Sequence, residues 1–167
     1  MKRRRPGSAE PALLAPAALR AKAIRLLARR ERSREELRQA LAPLCEDPHA
    51  LTAVLDDLEA RGWLCESRLA AQLVRLRRPR ASAARIRQEL VRRGVQADTL
   101  AESTSGLEAG DMAAALALWR RRFGRAAAER KERERQLRFL VNRGFAHGIA
   151  LRVLRIGEGK ADAEPVE

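Results

Sequence analysis

The sequence predicts an all-α protein, an elongated tandem array of three three-helix (helix-turn-helix-like) repeats with about nine helices. Three observations carry that reading. Residue choice favours helix: there is no Tyr and only seven Val, four Ile and three Thr in 167 residues, while Ala, Leu, Arg and Glu dominate. Apolar residues recur at i, i+3, i+4 and i+7 rather than at every second position. And "LVRRGV" at residues 90–95 returns as "LVNRGF" at residues 140–145, self-similarity at a period typical of repeat architectures.

The chain opens on "MKRRRPGSAEPALLAP", residues 1–16, a basic front with a short apolar stretch broken by Pro11 and Pro16. It reads as a disordered basic tail and not as a signal peptide. The first repeat is expected over residues 17–65. Its first helix, about residues 17–30, turns Ala21, Ile24, Leu27 and Ala28 inward. In "SREELRQALAPL", Leu37, Ala40, Leu41 and Leu44 make one apolar face, and Ser33 with Glu36 has the spacing of a capping box. Asp47–Pro48 starts the third helix, with Asp as N-cap and Pro in the first turn, and Gly62 ends it in a left-handed cap.

A shift of 49 places "SAARIRQELVRRGV" on "SREELRQALAPLCE", with Ser82 on Ser33, Ile86 on Leu37 and Leu90 on Leu41. That is the second repeat, residues 66–108. A further shift of 50 places Leu140, Arg143, Gly144 and Phe145 on Leu90, Arg93, Gly94 and Val95, giving a third repeat over residues 109–156. Arg-Gly-apolar supplies a basic group near the last carbonyls, a left-handed cap and a hydrophobic anchor, which makes it a reused helix stop. The first repeat lacks the glycine at this point, reading "APLCED". Ser103 and Thr104, between Leu100 and Leu107, should leave the last helix of the second repeat weaker or partly exposed. The third repeat is expected to open with Met112, Leu116, Trp119 and Phe123 on one side. A long charged helix, "AAAERKERERQLRFLVNRG", should follow, and Ile149, Val153 and Ile156 should close the repeat. Leu37, Leu55, Ile86, Leu90, Leu116 and Leu140 are the expected core. The end, "GEGKADAEPVE", residues 157–167, reads as a disordered acidic tail.

Charge points to a partner. Thirty-five Lys+Arg against twenty-two Asp+Glu give +13, and thirty-one of the bases are arginine. The excess grows along the chain: +1 over 17–65, +4 over 66–108 and +8 over 109–156. Residues 75–93 hold eight arginines against Glu89 alone, and "RRRFGR" adds four around Phe123. Arginine at this density suits bidentate pairing with phosphates or carboxylates. The candidate contact residues are therefore Arg75, Arg77, Arg78, Arg80, Arg85, Arg87, Arg92, Arg120, Arg121, Arg122 and Arg125. In "ERKERER" the signs alternate at helix-pair spacing, which stabilises the helix surface itself. No helix offers a base-reading set separate from phosphate-binding arginines, and aromatics are too few for a stacking platform. Binding to single- or double-stranded DNA is expected to be weak and sequence-indifferent.

No catalytic signature stands out. Phosphate loop, triad order and paired carboxylates in an apolar setting are all missing from the sequence. Cys45, Cys65, His49 and His147 are scattered rather than set in two close pairs, so no metal and no cofactor are expected, and both cysteines read as ordinary thiols. No run approaches the apolar length of a membrane span.

Taken in order, "LEARGWLCESRLAAQLVRLR", "RIRQELVRRGV", "RRRFG" and "RQLRFLVNRGF" resemble the RecX family of recombination regulators along about residues 17–156. Cys65–Glu66 stands where that family usually has two aspartates, Leu69 replaces a common aromatic, and the 79–84 loop lacks a frequent glycine. The resemblance implies a bacterial cytoplasmic protein that binds in or at the end of the RecA–DNA filament. It would block filament growth, ATP hydrolysis and strand exchange. A monomer is expected and, with no catalytic group visible, not an enzyme. The competing class is a free-standing nucleic-acid-binding protein of transcriptional or architectural type, distinguished by whether tight action needs RecA.

Overall fold

The computed structural model describes residues 13–159. The tails read as disordered fall outside these residues except for 13–16 and 157–159, which are ordered: Pro16 and Gly157 belong to helices, the Leu14 N–H donates to the Leu44 carbonyl at 2.8 Å, and Glu158 accepts from Arg133 at 2.9 Å. Nine α-helices and two short 3-10 turns are present, and no strand, among the described residues. The helices are α1 (Pro16–Leu27), α2 (Arg34–Leu41), α3 (Pro48–Ala60), α4 (Glu66–Arg77), α5 (Ala83–Arg92), α6 (Ala97–Thr104), α7 (Asp111–Arg122), α8 (Arg130–Val141) and α9 (His147–Gly157). The chain divides into two compact units, Met1–Glu66 and Ser67–Glu167.

Local chemistry sets the helix ends. Ser33 Oγ accepts the Glu36 N–H at 3.0 Å while the Glu36 carboxylate accepts the Ser33 N–H at 3.1 Å, a closed capping box. Ser82 repeats half of it, accepting the Arg85 N–H at 3.2 Å. Asp47 accepts the His49 N–H at 2.8 Å ahead of Pro48. Gly62, Gly94 and Gly144 take φ of 69°, 72° and 87°. The apolar residue after each returns its N–H to a carbonyl five residues back: Trp63 to Leu58, Val95 to Leu90, Phe145 to Leu140. Without a glycine after α2, the chain passes through a 3-10 turn at Ala42–Leu44 and leaves extended at Cys45.

The core of the first unit gathers Leu19 and Ala23 from α1, Leu37 and Leu41 from α2, and Leu51, Val54, Leu55 and Leu58 from α3. The second unit has two clusters. One joins Leu69, Leu73, Ile86, Leu90 and Val95; the other joins Ala115, Leu118, Trp119, Leu140, Phe145, Val153 and Leu154. Five of the six expected core residues are buried. Leu116 is the exception, half-buried at the cluster edge. Ala115, Leu118 and Trp119 take the inner face of α7 instead, and Met112, Leu116 and Phe123 lie at its border. The Trp119 indole sets this rotation: its Nε1–H donates to the buried Gln136 at 2.7 Å, and its ring lies against the bare Cα of Gly157.

Three further expectations are corrected. The charged helix of the third repeat starts at Arg130 and not at Ala126, because Gly124 turns at φ 70° and the Gln136 amide holds the Arg125 carbonyl at 3.4 Å. Leu107 lies beyond α6, which ends at Thr104, where the Thr104 hydroxyl donates to the Leu100 carbonyl at 2.8 Å. The first helix stops at Leu27, short of residue 30. As expected, α6 is poorly covered, with Thr104 its one buried residue.

Candidate interaction surface

Within the second unit, α4, α5, α7 and the turn after α8 meet at one joint. The Ser82 N–H donates to the Arg143 carbonyl at 3.1 Å. A Cβ on Gly144 would stand 2.6 Å from Ser82 Oγ and 2.8 Å from the Arg85 Cβ, so the two turns touch backbone to side chain. Asp111, the first residue of α7, is buried and accepts both the Ala83 N–H at 3.0 Å and the Arg78 guanidinium. The Arg121 guanidinium reaches across to the Pro79 carbonyl at 2.8 Å. The joint therefore brings together the two arginine clusters, 75–93 and 120–125, that lie far apart in sequence.

The candidates divide by what they already touch. Arg78 is held inward by Asp111 and the Leu107 carbonyl, as a strut between turns rather than a free contact. Arg77 forks onto Glu89 at 2.8 and 2.9 Å, and that guanidinium lowers the Glu89 carboxyl below its ordinary range. Arg121 is engaged by the Pro79 carbonyl. Arg75, Arg80, Arg85, Arg87, Arg92, Arg120, Arg122 and Arg125 are exposed and form no ion pair with a carboxylate among the described residues.

One residue of this surface was missed by sequence reasoning. Arg143 reads as a helix-stop base, and its guanidinium does donate to the Phe139 carbonyl at 3.2 Å. It also lies 3.7 Å over the Phe139 ring, which meets Phe123 edge-on at 5.0 Å, while Arg122 sits 5.8 Å from the Phe123 ring. Burial, and then the nearby Arg122, push the Arg143 guanidinium below its ordinary value. Two like charges thus stand beside two rings, an arrangement chemically suited to an anion. The signal available in sequence was the i, i+4 pair Phe139–Arg143.

Beside it, the 124–129 turn and the start of α8 enclose an open cavity of about 460 Å³. Arg122, Arg125 and Arg135 line it together with Glu129 and Glu132, a lining of mixed charge. Among the described residues no group of three or more His, Cys, Asp or Glu could hold a metal ion, and no helix is long and apolar enough to cross a membrane. Cys45 and Cys65 are half-buried and are not joined in a disulfide.

Helical bundles bearing exposed arginines without carboxylate partners among the described residues suit the class of proteins that bind anionic partners. Comparison narrows the class. The family model for the first three-helix domain of RecX matches residues 20–58, and that for the third matches residues 110–154. The regulatory protein RecX of Leptothrix cholodnii is 44% identical over 144 residues, covering 86% of this chain and 92% of that protein. That of Ralstonia nicotianae is 42% identical over 153 residues, covering 90% and 96%. The crystal structure of RecX from Lactobacillus salivarius shares the fold at a TM-score of 0.67 and 15% identity, over 86% of this chain and 96% of that one. The chain belongs to the RecX family of regulatory proteins.

Proposed function

We propose that this chain is a non-catalytic regulator that binds the RecA–DNA filament and inhibits its ATP hydrolysis and strand exchange, by capping a filament end or lying in its groove. It acts as a cytoplasmic monomer, and the three-repeat division at 17–65, 66–108 and 109–156 is its working architecture. The observation that carries the reading is the joint in the second unit. In a chain of the RecX family, it gathers exposed arginines from two distant segments and leaves them without carboxylate partners among the described residues. Such a surface meets phosphates and acidic side chains without chemistry of its own. Several modest contacts spread over more than one filament subunit would add as avidity.

The test is ATP hydrolysis by a preformed RecA–single-stranded-DNA filament. Inhibition is expected at fewer than one chain per RecA monomer, because one blocked end or groove segment silences many subunits. A competitor for bare DNA would need enough protein to coat the strand. If filaments at equimolar ratio hydrolyse ATP and exchange strands normally, the reading is wrong and the free-standing nucleic-acid-binding class takes its place. Truncation after residue 108 is a poor test: it cuts through the second unit and removes Asp111 from Arg78 and the Ala83 N–H.

A further inference from the structure

Helices α2 and α5 share a sequence pattern but differ in one acceptor. The shift of 49 places Ala84 on Glu35, Arg87 on Arg38, Gln88 on Gln39 and Val91 on Ala42. On α2, Glu35 accepts from Arg38 Nε and Nη2, both at 2.7 Å, and from Gln39 Nε2 at 2.6 Å. The carboxylate thus engages both side chains, and they in turn hold its carboxyl down at about 2. On α5, Ala84 has no acceptor to offer, and the Arg87 and Gln88 side chains have no partner among the described residues. Val91 completes the stripe at i, i+3, i+4 and i+7, 55% exposed, beside the exposed Arg92. Glu89, the acid of this helix, is turned away onto Arg77.

We propose that the stripe Ala84–Arg87–Gln88–Val91 is a docking face for an acidic protein surface that presents an apolar side chain. The charge is complementary: arginines surround the stripe and its one nearby acid is already paired. The valine decides between anions. Phosphates along a nucleic-acid backbone gain nothing from an exposed Val, whereas a protein partner can remove it from water and ring it with carboxylate–guanidinium pairs, the apolar centre and polar rim of a protein interface. Gln88 adds an amide that can both donate and accept, suited to a partner backbone. This rests on the reading that the chain acts on the RecA filament, and it assigns α5 to the filament's protein rather than to its DNA.

Two exposed substitutions test it. Val91→Ser removes the apolar centre without altering charge. Ala84→Glu rebuilds the α2 clamp, placing an acid in the first turn of α5, where it should keep or raise thermal stability while occupying Arg87 and Gln88. Inhibition of ATP hydrolysis by a preformed RecA–single-stranded-DNA filament is compared with anisotropy binding to the bare strand. Val91→Ser should weaken inhibition about tenfold and leave bare-strand binding unchanged. Ala84→Glu should weaken inhibition at undiminished melting temperature. Wild-type inhibition retained in full by Val91→Ser overturns the docking face alone. Equal losses on filament and bare strand make the stripe a nucleic-acid contact and overturn it as well. A wild-type chain without effect on the filament sinks the functional reading, and this proposal with it.

Discussion

In the first unit, Arg20, Arg30, Arg34, Arg38 and Arg61 each pair with an acid of the same unit: Asp57, Glu36, Asp56 with Glu59, Glu35, and Asp57 again. In the second unit, Arg80, Arg85, Arg87, Arg120 and Arg122 are exposed and make no ion pair with any described carboxylate. The inner faces of both units are built from apolar residues at helical spacing, leucine most often. The difference lies in whether the fold brings a carboxylate to each of these bases. It comes from within the same turn for Arg38 and Arg61 and from farther along the chain for Arg20, Arg30 and Arg34, so these five are neutralised within their unit while the other five are left open. Net charge per segment only hints at this, because an arginine that already holds a glutamate contributes little to binding.

The comparison can be broken at its joints. Gly62 and Gly144 both take left-handed φ, yet a Cβ at Gly62 meets nothing within 4 Å while one at Gly144 collides with Ser82 and Arg85. Gly62→Ala should cost about 1 kcal/mol from backbone strain alone, and Gly144→Ala about 3 kcal/mol, since overpacking adds to the strain. Urea denaturation measures both, and equal costs would mean that the close contact at Gly144 yields freely.

Next comes charge reversal. Replacing Arg120, Arg121 and Arg122 by Glu should lower the log–log salt slope of single-stranded DNA binding by roughly 2–3, as about 0.7–0.9 is lost per phosphate contact. Reversing Arg29, Arg30 and Arg32 should lower it less, since Arg30 already holds Glu36. A larger loss from the first unit would reverse the comparison.

The smallest effect is a titration. Hydrogen bonds from Arg38 and Gln39 depress the Glu35 carboxyl from 4.5 to about 2. A folded-state value below the unfolded one gives a stabilisation present above about pH 4.5 and lost as pH falls through about 2. Carbon-13 NMR of the Glu35 carboxyl should place its midpoint in that low window, and Arg38→Ala should raise it. An unshifted midpoint in the intact chain would remove the clamp on which the α2–α5 contrast depends.

Most of the fold was legible because its signals are local. Ser33 with Glu36, Asp47 with Pro48, and Arg-Gly-apolar each fix a helix end within a few residues, and the buried leucines follow the 3.6-residue period. What stayed hidden depends on partners distant in sequence. Arg78 looks like its neighbours until Asp111, 33 positions on, is folded against it. Residues 126–129 have good helix formers, yet the buried Gln136 amide and the turn at Gly124 hold them out of the helix. Leu116 lost its place in the core because Trp119 with Gln136 fixed the rotation of α7. For the surface, composition located the arginine clusters, but their pairing and the Arg143–Phe139 stack required the fold.

The placement of the two tryptophans has an optical consequence. Trp63 belongs to the first unit, 45% exposed with the Arg20 guanidinium 5.9 Å from its ring; Trp119 belongs to the second, 3% exposed with its N–H on Gln136. The sequence has no tyrosine and no third tryptophan, so absorption near 280 nm and the emission it excites come from these two rings alone. The wet indole emits to the red and the dry one to the blue, giving each unit its own colour without an added dye. With Trp63 replaced by Phe, the remaining emission watches the arginine-bearing unit by itself, through unfolding or through the arrival of a partner.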